Sequence, residues 1–410
     1  MTGLSRRALL AAAPATLIAA RPAQAAPAPV VRVSGTAPTQ LAGFDNVVKK
    51  FVLDRKIRAA QLAVMKNGKI LLARGYCFDD YSRTPAIPSP TSLFRIASLS
   101  KNITSAAIMR LVQDGKLSLS AKVTQVLGLT PADARMGQIT VLRLMQHLGG
   151  WDRDASKDQL WLDHTISAVL DVPLPIGHDD IIRYATARQL DFAPGSKMVY
   201  SNYGYMLLGR IIAKVSGQPY ETYIKTKLLQ PLGITRMRLG KSLKSEAATG
   251  EVSYESQYTN KTVLDTSGTT VPYPYGGFNM PNQDANGGWL ASAVDLVRWT
   301  LAFDRPGTVL SSASIAKLVA KPEIGVNEYG SWYGGGWWCR QVTGHLNTWH
   351  NGSMPGTFSY LARLQNGFSY AVLFNRREES GTLDYDTIDD DMNKVKVSSW
   401  PTTDLTPKYF

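Results

Sequence analysis

Ser98 and Lys101 stand three residues apart in Ile96-Ala97-Ser98-Leu99-Ser100-Lys101-Asn102-Ile103. A serine hydroxyl is a weak nucleophile until a base takes its proton. A lysine amine can be that base where its surroundings keep it neutral part of the time. Apolar residues Ile103, Ala106, Ala107, Ile108, Leu111 and Val112 recur at three- and four-residue steps up to Asp114-Gly115. That spacing predicts an amphipathic helix with glycine as its C-cap, following a strand-like Thr91–Arg95. Ser98 then sits at the helix entrance, near unpaired N–H groups, with Lys101 one turn on along the same face. The same pattern recurs at Ser314-Ile315-Ala316-Lys317, and a serine at a helix start is also an ordinary N-cap. The pair therefore needs partners from elsewhere in the chain.

Two segments can supply them. Tyr200-Ser201-Asn202 follows the turn residues Pro194-Gly195 and precedes an apolar-periodic stretch, Tyr203–Ser216. A phenol can carry a proton, and an asparagine amide can both donate to and accept from a substrate amide. His350-Asn351-Gly352 follows Trp349 on a predicted strand, with Ser353 next. A glycine there lets a substrate lie against the strand, and the N–H beyond it can face a carbonyl oxygen. Tyr258-Thr259-Asn260 repeats the Tyr-x-Asn spacing but lacks the turn and helix around it, and Ser314 follows both tyrosines, so it cannot head the series.

The elements that must bring these pieces together read as follows. Residues 43–54 suit a helix. Gln61–Lys66, Asn67-Gly68 and Lys69–Cys77 form a hairpin pattern, because Asn-Gly favours a two-residue primed turn. Helical segments then dominate from Ser98 to about Val319: Val141–His147, Asp179–Ala187, Tyr203–Ser216, Tyr220–Leu229 and Ala293–Phe303, the last with the cap pattern Ser292-x-x-Asp295. Strand signals return at Tyr333–Val342, Thr348–Asn351, Phe358–Leu364 and Phe368–Phe374. Gly334-Gly335-Gly336, flanked by aromatic residues, reads as strand and not as a phosphate loop. Strands at both ends around a helical middle predict an α+β fold: one antiparallel sheet completed by the two ends of the chain, with flanking helices and a mostly helical inserted lobe. The expected division is a signal at 1–25, a leader at 26–40, a domain at 41–385 and a tail at 386–410. Within the domain, an α/β lobe spans 41–95 and 325–385, and a helical lobe spans 96–324.

Residues 1–25 read as an export signal, with a twin arginine at Arg6-Arg7, a short apolar run and a small-residue site at Ala23-Gln24-Ala25. A soluble, periplasmic or secreted product is expected, with no stable membrane insertion. The formal net charge of +13 comes without a dense basic tract, which argues against nucleic acid as a partner. Cys77 and Cys339 are the two cysteines, and an oxidising compartment allows them to pair. The five histidines are scattered with no metal-ligand spacing, and no cofactor motif is present.

The ordered set Ser-x-x-Lys, Tyr-x-Asn and His-x-Gly resembles the serine β-lactamase and penicillin-binding-protein superfamily. The likeness is to its class C branch, which includes D-Ala-D-Ala carboxypeptidases, D-aminopeptidases and β-lactamase-like esterases. Phe94–Lys101, Phe192-Ala193-Pro194-Gly195 with Tyr200–Tyr205, and Gly287–Leu296 are similar to segments of that family, and the resemblance runs from about residue 40 to about 380. It implies an acyl-enzyme on Ser98, proton transfers shared by Lys101 and Tyr200, and a substrate amide held by Asn202. His350 and Gly352 would flank the substrate, and the backbone N–H groups of Ser98 and Ser353 would form an oxyanion hole. No metal or organic cofactor is implied; the partner is a small-molecule or cell-wall peptide substrate. Many β-lactamases carry Lys-Thr-Gly where His350-Asn351-Gly352 stands. A neutral histidine offers less fixed charge to a substrate carboxylate, so the expectation leans to an esterase or D-Ala-type peptidase. A class C-like β-lactamase, an idle penicillin- or cell-wall-binding module and a structural envelope protein are the alternatives. Segment Trp151–Asp180 is expected to overlie the site and help choose the substrate.

Overall fold

Asn67 and Gly68 both take positive φ, 50° and 77°, which closes the expected hairpin as a primed turn between strands β2 and β3. The computed structural model describes residues 27–82 and 86–410, and the export signal read at 1–25 lies outside them. The strands are β1 (Val30–Thr36), β2 (Ala60–Lys66), β3 (Lys69–Asp79), β4 (Phe94–Arg95), β5 (Arg238–Leu239), β6 (Thr259–Lys261), β7 (Thr270–Pro272) and β8 (Trp289–Ala291). They continue with β9 (Ser331–Tyr333), β10 (Trp338–Val342), β11 (His345–Met354), β12 (Thr357–Leu364) and β13 (Phe368–Phe374). The helices are α1 (Ala42–Arg55), α2 (Ser100–Gln113), α3 (Val123–Leu127), α4 (Val141–Met145), α5 (Asp163–Leu170), α6 (His178–Thr186) and α7 (Asn202–Ser216). After them come α8 (Tyr220–Ile224), α9 (Ala293–Trp299), α10 (Leu301–Asp304), α11 (Ser312–Leu318), α12 (Thr387–Asn393) and α13 (Thr406–Tyr409).

Eight strands form one sheet in the order β1-β3-β2-β13-β12-β11-β10-β9. Each neighbouring pair in it is antiparallel. The β2–β13 pairing joins the two ends of the chain, as the strand distribution predicts. Both faces of the sheet are covered, so its central strands are apolar on alternate residues in both directions. Ala60, Leu62 and Val64 pack with Phe44, Val48 and Phe51 of α1 and with Ile388 and Met392 of α12. Ala63 and Met65 face the other way, into the core shared with Ile103 and Ala107 of α2 and Val294 and Val297 of α9. A three-stranded sheet, β4-β8-β5, leads the chain into α2. The capping box at Ser292 and Asp295 starts α9 as predicted.

Several expectations are corrected. Residues 30–36, read as part of a leader, pair along seven positions with β3 as the edge strand; its apolar Val30, Val31 and Val33 are hidden in a Pro- and Ala-rich context. Residues 386–410, set apart as a tail, pack against the domain. Ile388 and Met392 are buried, Leu405 N donates to Ile70 O at 2.8 Å, and the Arg236 guanidinium donates to Tyr409 O at 2.7 Å. Tyr220–Leu229 is a short α-helix continued by a π-helical turn, and Ala293–Phe303 is divided at Thr300. Gly334–Gly336 is not strand but the connection between β9 and β10. Gly336 has φ +75°, and a Cβ there would lie 2.6 Å from Asn102 N, against the backbone of α2. Cys77 and Cys339 are both buried and unbridged.

Gly336→Ala is therefore expected to destabilise the fold by at least ~2 kcal/mol, through left-handed backbone strain and a clash with immovable backbone. Urea denaturation checks this; an unchanged midpoint would mean that the loop shifts freely.

Candidate active site

Ser98 lies on a tight turn, Ala97–Leu99, just before α2. Ala97 has φ +45°, a left-handed conformation that costs energy at a residue with a Cβ and persists only where its surroundings impose it. The imposing contacts are visible. Ile96 N donates to Trp289 O at 3.0 Å, Thr357 Oγ1 donates to Arg95 O at 2.9 Å, and Ser359 Oγ donates to Ile96 O at 2.7 Å. Strands β8 and β12 thus clamp the turn from two sides and leave Ser98 half-buried.

Lys101 reaches back along the same helix face, with Nζ 3.0 Å from Ser98 Oγ. The amine is fully buried and also donates to Asn202 Oδ1 at 2.7 Å and to Asn286 O at 2.8 Å. Burial holds its pKa well below the ordinary lysine value; Asp158 opposes that shift and Arg153 adds to it. An amine in this position can accept the Ser98 proton. Tyr200 closes the other side, its ring centroid 4.7 Å from Lys101 Nζ. Burial raises the Tyr200 pKa and the neighbouring Ser98 hydroxyl opposes it, while among the described residues no group meets Tyr200 Oη in full hydrogen-bond geometry. A phenol so placed stays protonated and can relay a proton, while the lysine is the better base.

Ser201 caps α7 by accepting from Gly204 N at 3.1 Å, which sets Asn202 as the first helical residue. The Asn202 amide is held at both ends: Oδ1 accepts from Lys101, and Nδ2 donates to Asp158 Oδ2 at 2.6 Å. Burial raises the Asp158 pKa, and the Asn202 hydrogen bond lowers it. Gly352 brings β11 against the Ser98 turn. A Cβ there would lie 2.3 Å from Ile96 O and 3.1 Å from Ser98 N. Ser353 is exposed, and its Oγ accepts from Arg377 Nη1 at 3.1 Å.

His350 departs from the expected role. Its ring is 1% exposed. Nε2 lies 2.8 Å from Tyr333 Oη, and Nδ1 meets the Asn351 carbonyl oxygen. Burial, with the nearby Lys101 amine, pushes its pKa down to about 3. Both ring nitrogens are thus engaged inside the protein, by Tyr333 and by the His350 strand itself. The rival patterns stand apart: Ser314 Oγ donates to Gln113 Oε1, and Tyr258 is exposed beside β6.

A cavity of about 330 Å³ opens over Asn202 and Ser353, walled by Arg153, Asp158, Trp161, Tyr273 and Arg377. A larger hollow of about 730 Å³ beside Val112 and Leu142 contains none of the predicted site residues. Of segment 151–180, residues Arg153, Asp154, Asp158 and Trp161 line the cavity over Asn202 and Ser353, whereas Asp158, Asn286, Tyr333 and Arg377 were not singled out by sequence. Only Asp158 carried a signal, through its position in that segment. Among the described residues no cluster of His, Cys, Asp and Glu could hold a metal ion, and no helix is long and apolar enough to cross a membrane. Gly352→Ala is expected to push β11 off the Ser98 turn and to slow covalent labelling of Ser98 by a fluorophosphonate about 100-fold; labelling at the native rate would show that the strand tolerates the methyl group.

The sequence model of the beta-lactamase family matches residues 44–391. Penicillin-binding protein 4 of Amycolatopsis lactamdurans is 28% identical over 324 residues, covering 75% of this chain and 78% of that protein. Protein flp of Staphylococcus aureus strain N315 is 28% identical over 217 residues, covering 52% of this chain and 41% of that protein. The chain therefore spans about two fifths of the length of the staphylococcal relatives it matches. Among solved structures, the octameric penicillin-binding protein homologue from Pyrococcus abyssi is 26% identical with a TM-score of 0.63, covering 82% of this chain and 73% of that one. The D-amino acid amidase of Ochrobactrum anthropi SV3 in complex with D-phenylalanine has a TM-score of 0.66 at 19% identity, covering 87% of this chain and 97% of that one, and so shares its fold. On the match across residues 44–391, this chain belongs to the beta-lactamase family, within the serine β-lactamase and penicillin-binding-protein superfamily.

Proposed function

We propose that this protein is an exported serine hydrolase that acts through an acyl-enzyme on esters or D-amino-acid peptides and amides. The observation that carries the reading is the buried Lys101 amine, depressed well below its ordinary pKa and 3.0 Å from Ser98 Oγ. In this scheme Ser98 Oγ attacks the acyl carbonyl while its proton passes to Lys101 Nζ. The backbone N–H groups of Ser98 and Ser353 receive the developing oxyanion. The leaving alkoxide or amine takes a proton relayed through Tyr200, and water then releases the acyl group from Ser98. Gly352 keeps the strand close enough for the substrate to lie along it, and Asn202 offers its amide to the substrate's own.

Support for the substrate class comes from the site's charges. His350, the residue in the position of the usual lysine, is buried and neutral, so that position offers no fixed cation to a β-lactam carboxylate, and Arg153 and Arg377 at the cavity wall are the cations that remain. Named relatives include a penicillin-binding protein and a penicillin-binding-protein homologue, which fits a cell-wall peptide as one natural substrate. Export through the twin arginine at Arg6-Arg7 would bring the enzyme to it.

A panel of p-nitrophenyl esters, D-Ala-p-nitroanilide and nitrocefin, run on wild type and Ser98→Ala, tests the proposal. Ester turnover is expected on wild type, with loss of at least about 10³-fold in the variant and slow nitrocefin cleavage. Fast nitrocefin hydrolysis would favour the β-lactamase alternative, and absence of any covalent adduct on Ser98 would favour an idle binding module. The rate should also rise with pH through the Lys101 pKa, because only the neutral amine accepts a proton, and that limb should lie well below 10.5. His350, held at about 3, should add no limb near neutrality. A single limb at 10 or above would exclude Lys101 as the base.

A further inference from the structure

His147 is a buried histidine that none of the steps above uses. It follows α4, has φ +59° and is 1% exposed. Its main-chain oxygen accepts from Val199 N at 3.0 Å, and its ring Nδ1 accepts from Ser201 N at 3.1 Å. Those two N–H groups belong to the residues on either side of Tyr200. The imidazole also packs, tilted by 38°, against the Tyr200 ring, with centroids 4.3 Å apart, and against Tyr333 at 4.4 Å.

We infer that His147 is a positioning residue for Tyr200, gripping the chain on both sides of the phenol and fixing its ring plane so that the hydroxyl stays beside Ser98. The inference rests on the proposed role of Tyr200. A residue kept only to fill space would not need these features. A left-handed backbone is unfavourable for any side chain with a Cβ, and a leucine or phenylalanine would fill the volume without burying ring nitrogens. Here Nδ1 is an acceptor, which leaves the proton on Nε2, and among the described residues Nε2 has no hydrogen-bond partner. The grip needs the neutral ring, since a proton on Nδ1 would face the Ser201 N–H. The surroundings keep it neutral. Burial opposes the charge first, and Lys101 from α2, His350 from β11 and Arg153 from the loop after α4 oppose it too. Tyr200, Tyr205 and Tyr333 supply the remaining ring contacts.

A double-mutant cycle tests this on the full chain, using p-nitrophenyl butyrate. The single variants are His147→Phe, which keeps a ring and loses the acceptor, His147→Asn, which restores an acceptor, and Tyr200→Phe; each His147 variant is also made in the Tyr200→Phe background. His147→Phe is expected to lower kcat at least about 30-fold, the scale of a misplaced proton carrier, with KM changed by less than about threefold. His147→Asn should recover about tenfold of that loss. In the Tyr200→Phe background either His147 change should cost less than about twofold, because a residue that acts through Tyr200 has nothing left to act on. Equal losses in both backgrounds, or wild-type kcat in His147→Phe, would overturn the inference. If His147→Phe does not fold, the His147→Asn pair decides by the same comparison. Full activity of Tyr200→Phe alone would instead sink the reading of Tyr200 and this inference with it. A Tyr200→Phe variant of reduced but measurable activity, in which the His147 changes cost as much as in wild type, would sink this inference alone.

Discussion

An amine cut off from water must find its acceptors in the protein, and the Lys101 ammonium finds three: Ser98 Oγ, Asn202 Oδ1 and Asn286 O. Removing such a group from water costs several kcal/mol, and each hydrogen bond from a charged donor returns about 1.5–3 kcal/mol. The Lys101 pKa lies well below the ordinary lysine value, so the cost of burial outweighs what these bonds return and the amine gives its proton up readily. The three acceptors belong to separate pieces of chain: the turn before α2, the first residue of α7, and the residue preceding the glycines that lead into β8. The site exists only where those pieces converge.

Convergence is enforced by backbone held under strain. The left-handed Ala97 costs about 1–3 kcal/mol, and it is kept by bonds from Thr357 and Ser359 of β12 and by the carbonyl of Trp289 in β8. Two glycines take up the remaining tight contacts. Gly352 lets β11 pass beside Ser98, and Gly336 lets the β9–β10 connection press on α2 beside Lys101. Because β12 and β11 sit in the middle of a sheet closed by the β2–β13 pairing, the geometry at Ser98 depends on both ends of the chain being in register.

Behind the reacting groups lies a layer of neutral aromatic side chains: His147, Tyr200, Tyr205, Tyr333 and His350, linked by ring contacts. Burial keeps both histidines uncharged and the phenols protonated. Such a layer excludes water without adding fixed charge, so the field at Lys101 is set mainly by Asp158 and Arg153 at the mouth.

Much of the fold was legible from periodicity. The Asn67-Gly68 hairpin, the helix after Ser98, the cap at Ser292 and the strands of the last third of the domain are local patterns, written in the spacing of apolar and turn residues. The Ser98, Lys101, Tyr200, Asn202 and Gly352 positions were legible as well, because their chemistry depends on residue type at short spacing. What the spacing did not disclose was long-range. The edge strand at Val30–Thr36 exists only because β3 offers it unpaired backbone, and the tail at 386–410 packs only because α1 and the sheet leave a face to cover. Asp158, Asn286, His147, Tyr333 and His350 acquire their partners from residues tens or hundreds of positions away, and no local pattern encodes such a partner. The sequence alone determined which groups could react and which segments would be helix or strand; the tertiary structure decided which of them meet, which are cut off from water and therefore which proton is free to move.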